Sequence, residues 1–315
     1  MSTVRIDILL PQRDLLGECP LWDARRQALY WIDGRSQRVQ RHVPATGEYT
    51  AWTAPAHIGS IALCESGRLL LALEDDFHLL DVESGAFTPK GAAVTHPADR
   101  MRLNDGRTDR GGRFVVGSMT MGRHEPVGEL YQLGGDGVVR VLDRGIQLAN
   151  ATCFSPDGRW LYFADSMSGQ LRRYAYDPAT GDCGAAEVLV DTREHGSPPD
   201  GATVDAEGHI WVALVLAGKL ARFRPDGSLE RTIDFAPDAY ITCPCFGGPA
   251  LDTIFLTSIS NSGNVLRSDN PDAGGVFVIH GTGVHGIEEA RFDDRWLPAA
   301  VATPASLSTS QRNPS

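Results

Sequence analysis

Four oxygen-bearing side chains recur at one position of a repeated phrase. Glu18 in "ECPLWD" stands five residues before Asp23, Asn104 in "NDGRTD" five before Asp109, Asn150 in "NATCFS" five before Ser155, and Asp200 in "DGATVD" five before Asp205. Taken singly, each is ordinary turn chemistry, because Asp, Asn and Gly initiate turns. Taken together, two carboxylates and two amides at one repeat position predict a site, and "GECPLWD" holds no turn dipeptide that would need an acid. An oxygen-only set without His or Cys suits a hard divalent cation such as Ca2+, Mg2+ or Mn2+. Two carboxylates brought close together would otherwise repel until one took up a proton, and a cation removes that conflict.

The elements that must position these residues are turn-plus-strand units: "WDARRQALYWID", "CESGRLLLALE", "DRGGRFVVGSM", "SPDGRWLYFADS", "DAEGHIWVALV" and "GGPALDTIFLTS". Each pairs a polar or Gly-containing turn with β-favouring residues, and most are followed by a second strand and turn. Their spacing is that of a four-stranded propeller blade. No long window carries apolar residues at helical spacing. Six units over residues 14–292 predict an all-β, six-bladed β-propeller with an axial metal site; a pair of β-sandwiches would not repeat its phrase six times. The first strand of each blade lines the central channel, so Glu18, Asn104, Asn150 and Asp200 are expected to converge at one mouth. Ser60 and Cys243 stand at the equivalent place in blades 2 and 6. Ring closure needs the N-terminal "VRIDILL" to add to the last blade, beside "GGVFVIHG" and "EEARF". Residues 1–296 are expected to form this one domain, and the small, polar residues 297–315 a disordered tail.

Composition narrows the partners. In 315 residues, 29 Lys and Arg face 40 Asp and Glu, a net charge of −11 that argues against nucleic acid or an anionic membrane as partner. No apolar run is long enough for a membrane span, and the N-terminal stretch does not read as a signal peptide. The six cysteines are scattered without C-x2-C pairs, which predicts free thiols in a reducing cytoplasm. A monomer or weak homo-oligomer is expected.

The ordered set "LGECPLWD", "RLNDGRTDRGGRFVVGSM", "NATCFSPDG", "PPDGATVDAEGHIWVAL", "CFGGPALDTIFLTS" and "AGGVFVI" resembles the gluconolactonase, regucalcin (senescence marker protein) and luciferin-regenerating-enzyme family over most of the chain. The resemblance implies a divalent metal, Ca2+ foremost with Zn2+, Mg2+, Mn2+ and Fe2+ open, held by Glu18, Asn150 and Asp200. It also implies substrate contacts from Arg102 and Asn104, Asp200 doubling as general base, and hydrolysis of sugar lactones to sugar acids. The metal would act as Lewis acid on the lactone carbonyl, Arg102 would offer a planar fork of donors, and Asn104 a donor and an acceptor for a hydroxyl.

Two departures bear on the substrate. Where the family often places an acid after "GTM", this chain reads "GSMTMGRHE" and places Met121; where many members carry Gly-Gly after the inner strand of blade 5, it reads "VLAGK". Met121 makes that side of the pocket less polar, and Arg123, His124 and Lys219 on the same loops would receive an anionic substituent if they point inward. The expected preference is for deoxygenated or acidic aldonolactones over gluconolactone. Two other functions compete: a phosphotriesterase-like metal hydrolase on the same scaffold, and a non-enzymatic calcium-binding or interaction propeller. "HGTGVHG" fits G-x-G-x-x-G but is followed by no helix pattern, so it is read as a turn in the last blade.

Overall fold

The computed structural model describes residues 3–122 and 125–295. Six four-stranded antiparallel sheets follow one another along the chain. Blade 1 comprises Gly17–Asp23, Ala28–Asp33, Arg38–Val43 and Glu48–Thr53, from the innermost strand outward. The inner strands of blades 2 to 6 are Ser60–Leu63, Met101–Thr108, Ala149–Phe154, Pro199–Val204 and Ile241–Gly247. Among the described residues helix is confined to two short 3-10 segments, Thr192–His195 and Pro237–Ala239, and none is long and apolar enough to cross a membrane.

Each blade is buried on both faces, which is why its second strand reads as an unbroken apolar run. In Ala28–Asp33 the side chains alternate: Tyr30 and Ile32 pack with Ile61, Leu63 and Leu71 of blade 2, while Leu29 and Trp31 pack with Phe255 and Val278 of blade 6. Six such cores, one between each pair of neighbouring blades, hold the ring. Because the alternation has a period of two, a one-residue slip in any inner strand would send its apolar set the wrong way.

The ring closes through the chain's N-terminal segment. Arg5–Ile8 pairs antiparallel with Phe277–His280 as the outermost strand of blade 6, from Arg5 opposite His280 to Ile8 opposite Phe277. The C-terminal segment departs from expectation. "EEARF" is not a strand of blade 6, and "HGTGVHG" does not turn within the blade. Residues 281–295 instead run across the far mouth of the channel. They bridge Asp205 of blade 5 through Gly286, Cys64 of blade 2 through Phe292, and bond Gly112 of blade 3 through Asp293. This strap places Glu289 in the channel, where it pairs with Arg107 at 3.1 Å. The tail from residue 296 onward lies outside the described residues.

Candidate active site

The second residue of the repeated phrase is structural. Asp109 accepts the N–H groups of Gly111 and Arg113 and the Tyr176 hydroxyl. Asp205 accepts those of Glu207 and His209, the Trp211 indole N–H and the Arg222 guanidinium. These residues close the turn after the inner strand, at the end away from the site, and their four-acceptor capacity is filled by turn and core donors.

The first residue is aimed by a β-bulge. Five of the six inner strands carry a register shift at this height: between Glu18 and Leu21, Leu103 and Gly106, Asn150 and Cys153, Pro199 and Ala202, and Ile241 and Pro244. Glu18 and Asn150 stand just before their bulges, followed by Cys19 and Ala151 in the left-handed region at φ 48° and 55°. Asn104 and Asp200 are the first residues inside theirs. The equal spacing in sequence therefore hides two different places relative to the bulge. A bulge bends the strand and redirects a side chain, here from the tightly packed channel toward its mouth. Blade 2 pairs regularly from Ser60 to Leu63 and sends no side chain to the cavity. Two glycines make room. A Cβ on Gly201 would lie 2.5 Å from the Cys243 side chain, and one on Gly59 2.4 Å from the Leu103 carbonyl.

Glu18, Arg102, Asn104, Asn150 and Asp200 all line one cavity of about 470 Å³ at this mouth. The Asn104 Nδ2 donates to the Ala149 carbonyl at 2.8 Å and to the Asn150 Oδ1 at 3.2 Å, and its Oδ1 accepts from the Arg102 Nη1 at 2.6 Å. The Asn150 Nδ2 donates to the Ser166 Oγ at 2.8 Å, and that hydroxyl donates to the Pro199 carbonyl at 2.6 Å. Asn104 thus ties Arg102 to Asn150, and Ser166 orients the Asn150 amide so that its oxygen faces the site.

Sequence reasoning missed several contributors. Asp33 accepts the N–H groups of Leu15 and Leu16, and Asp165 those of Gln147 and Leu148, so two carboxylates clamp the segments that lead into Glu18 and Asn150. Asp105, adjacent to Asn104, accepts the Thr152 N–H at 2.7 Å. Ser166 and Met119 line the cavity as well. The signal for Asp33 and Asp165 was present in "YWID" and "YFAD", where the same acid ends the second strand of two blades.

Met121, half-buried one residue past Phe114–Thr120, does not line the cavity; Met119 and Gly122 do. Lys219 is exposed and is not part of the lining, although Val215 and Leu216 of the same stretch are. Arg123 and His124 lie outside the described residues. All six cysteines are unpaired.

The electrostatics reflect crowding of like charge. Burial, the Asp200 charge and then the Asp105 charge push the Glu18 carboxyl well above its ordinary range, against the pull of Arg102. Burial, then Asp105, pushes Asp200 up to about 8. Burial also raises Asp105, opposed by Arg107 and the Thr152 N–H. Burial lowers the Arg102 guanidinium to about 10, so it stays charged at neutral pH. Among the described residues no side chain donates a hydrogen bond to the Glu18 or Asp200 carboxylate. No three His, Cys, Asp or Glu side chains among the described residues form a metal-holding group, so any cation would depend on amide oxygen beside the two carboxylates. Two carboxyl groups without side-chain donors, acceptor-only once ionised, beside an oriented amide oxygen, fit a hard divalent cation.

Residues 16–260 match the family model described as SMP-30/Gluconolactonase/LRE-like region. The chain is 32% identical to regucalcin of Xenopus laevis, covering 93% of this chain and 99% of that protein. It is 33% identical to 6-deoxy-6-sulfogluconolactonase of Pseudomonas putida, covering 85% and 91%. Among solved structures, regucalcin from Agrobacterium tumefaciens, described as a calcium-binding protein, superposes with a TM-score of 0.83 at 30% identity over 90% of this chain and 96% of that one. The bulged inner strands, the acids they turn into the mouth and these similarities agree: the chain belongs to the SMP-30/gluconolactonase/LRE-like family.

Proposed function

We propose that the cavity binds a sugar lactone and opens it by hydrolysis, with Asp200 as general base and Glu18, Asn150 and Asp200 holding a divalent cation. The observation that carries this reading is the pair of buried carboxylates, Glu18 and Asp200, facing one cavity without side-chain donors and held there against mutual repulsion. Such a pair is costly unless it has a use. Relatives named as sugar lactonases, from Pseudomonas putida and, at 32% identity, a pentonolactonase from Haloferax volcanii, support the reaction class.

Lactone opening needs an attacking water, a polarised carbonyl and a route for the proton. When bound, a divalent cation would draw electron density from the carbonyl oxygen and offset the charge that develops there. Asp200, as a carboxylate facing the cavity, takes a proton from water as the water oxygen bonds to the carbonyl carbon. The same carboxyl then returns the proton to the ring oxygen as the C–O bond breaks, leaving a hydroxy acid. Arg102 keeps N–H groups beyond those engaged by the Leu103 carbonyl and Asn104, and these orient oxygens of the substrate. Asn104, with both amide ends committed, positions Arg102 and Asn150.

Hydrolysis releases one acid proton per lactone, so a pH indicator follows it directly. Chelator-treated protein given a divalent cation should open hexono- or pentonolactones well above the spontaneous rate. A protein that binds the cation and opens no lactone would instead be a calcium-binding propeller, a reading favoured only by the likeness to regucalcin.

A further inference from the structure

Most of the wall around the catalytic groups is hydrocarbon. Leu16, Leu148, Met167, Leu216 and Val265 on connections, and Met119 on the strand Phe114–Thr120, line the cavity and come from five different blades. Three of them are largely exposed, Met167 at 52%, Leu216 at 47% and Val265 at 85%. Single exposed apolar residues are ordinary on any surface. Here three, each on the connection of a different blade, meet at one concave mouth, which marks a binding surface.

The polar groups of the same cavity are mostly engaged by the protein. Asn104, Asn150 and Ser166 are tied into the chain of bonds described above. The Ser262 hydroxyl donates to Asn264 and the Leu266 carbonyl and accepts the Leu266 N–H, and the Asn264 oxygen also accepts the Val265 N–H. Arg102 and the Asn264 Nδ2 are the side-chain donors left among the described lining residues. Hydroxyls that a fully hydroxylated lactone places against this hydrocarbon, beyond the reach of Arg102, Asn264 and the two carboxylates, would be buried without partners, which is unfavourable for each one.

We infer that this cavity selects lactones whose carbons away from the carbonyl carry hydrogen or alkyl groups rather than hydroxyls, gripped by Met167, Leu216 and Val265. The inference rests on the lactonase reading for its reaction but not for its binding preference. Burying two or three CH2-sized groups that a hydroxylated analogue lacks amounts to roughly a tenfold or greater preference.

The test measures kcat/KM for a fully hydroxylated aldonolactone, its deoxy analogue and an alkyl-substituted lactone of the same ring size. It uses cation-loaded wild type, Met167→Gln/Leu216→Gln and Val265→Asn, all at exposed positions, with melting curves to verify folding. Calorimetric binding of the matching cyclic ketones, which cannot be hydrolysed, supplies a readout independent of turnover. The expected result is a tenfold or greater preference for the alkyl lactone in wild type, falling at least threefold in the variants, with the ketones ranking in the same order. Lactones opened with the hydroxylated one favoured, or a ratio untouched by the variants, overturns the inference and leaves the lactonase reading standing. Ketones ranked as expected with no lactone opened supports the inference and removes the lactonase reading. Neither turnover nor any apolar preference in binding overturns both.

Discussion

Asp200→Asn should make the cation-free protein more stable while abolishing its response to cations. Burial beside Asp105 pushes the Asp200 carboxyl from its ordinary 3.8 up to about 8. The fold therefore favours the protonated acid: its stabilising effect is complete below about pH 4 and is lost as pH rises through about 8. At about 1.4 kcal/mol per pKa step, an ionised Asp200 costs the chelated protein up to roughly 6 kcal/mol at pH 9. Asparagine removes the charge but still buries an amide that needs partners, so a gain of about 2–4 kcal/mol is expected. For a chain of this size that is a rise in Tm of roughly 3–6 °C. In wild type, cation at a hundredfold excess over Kd should restore about 2.7 kcal/mol, and in the variant almost nothing. The assay is a pair of melting curves at pH 9, in chelator and in excess cation, for each protein. A variant that melts below wild type in chelator, or that gains as much from the cation as wild type does, would contradict an ionised, cation-binding Asp200.

Arg102→Lys keeps the charge but loses the planar fork and its bond to Asn104, so kcat/KM should fall about 10- to 100-fold with little change in Tm; unchanged kinetics would remove Arg102 from substrate binding. Asp14, buried and accepting from Trp31 and Gln40, is pushed up to about 7 chiefly by burial. Its carboxyl stabilises the fold below about pH 4 and loses up to roughly 4 kcal/mol of that as pH rises through 7. Asp14→Asn should flatten this part of the stability–pH curve, and a curve parallel to wild type from pH 4 to 8 would contradict it. Deleting residues 1–8 uncovers Phe277–His280 as a free edge, so lower Tm and self-association by size-exclusion chromatography are expected; a monomer of unchanged Tm would show that ring closure does not depend on that strand.

The repeated turn-plus-strand phrase made the six blades legible, because each blade must turn and bury both faces in the same way. It also brought Glu18, Asn104, Asn150 and Asp200 to one mouth, since residues at a fixed distance from a repeated turn stay near one height of the channel. The phrase could not reveal the bulges, which depend on pairing with the next strand, and so Asn104 and Asp200 read as equivalent to Glu18 and Asn150 when they are offset by one place. Asp105 was hidden beside Asn104 in a stretch that reads as a turn. The apolar wall was illegible for a different reason: Leu148, Met167, Leu216 and Val265 lie on unrelated connections with no shared spacing. The strap over residues 281–295 carries apolar Val284, Ile287 and Phe292 without strand alternation, and only the channel mouth it covers gives it a place.

The most direct test of an axial cation serving lactone hydrolysis is to follow occupancy and turnover in the same sample. Stripped protein would be titrated with one divalent cation, with bound metal and the rate of lactone opening read at each step. The rate is expected to rise in proportion to occupancy and level off at one cation per chain, with Glu18→Gln and Asp200→Asn showing neither saturation nor rate. Full turnover of the stripped protein, or complete occupancy without lactone opening, would contradict it.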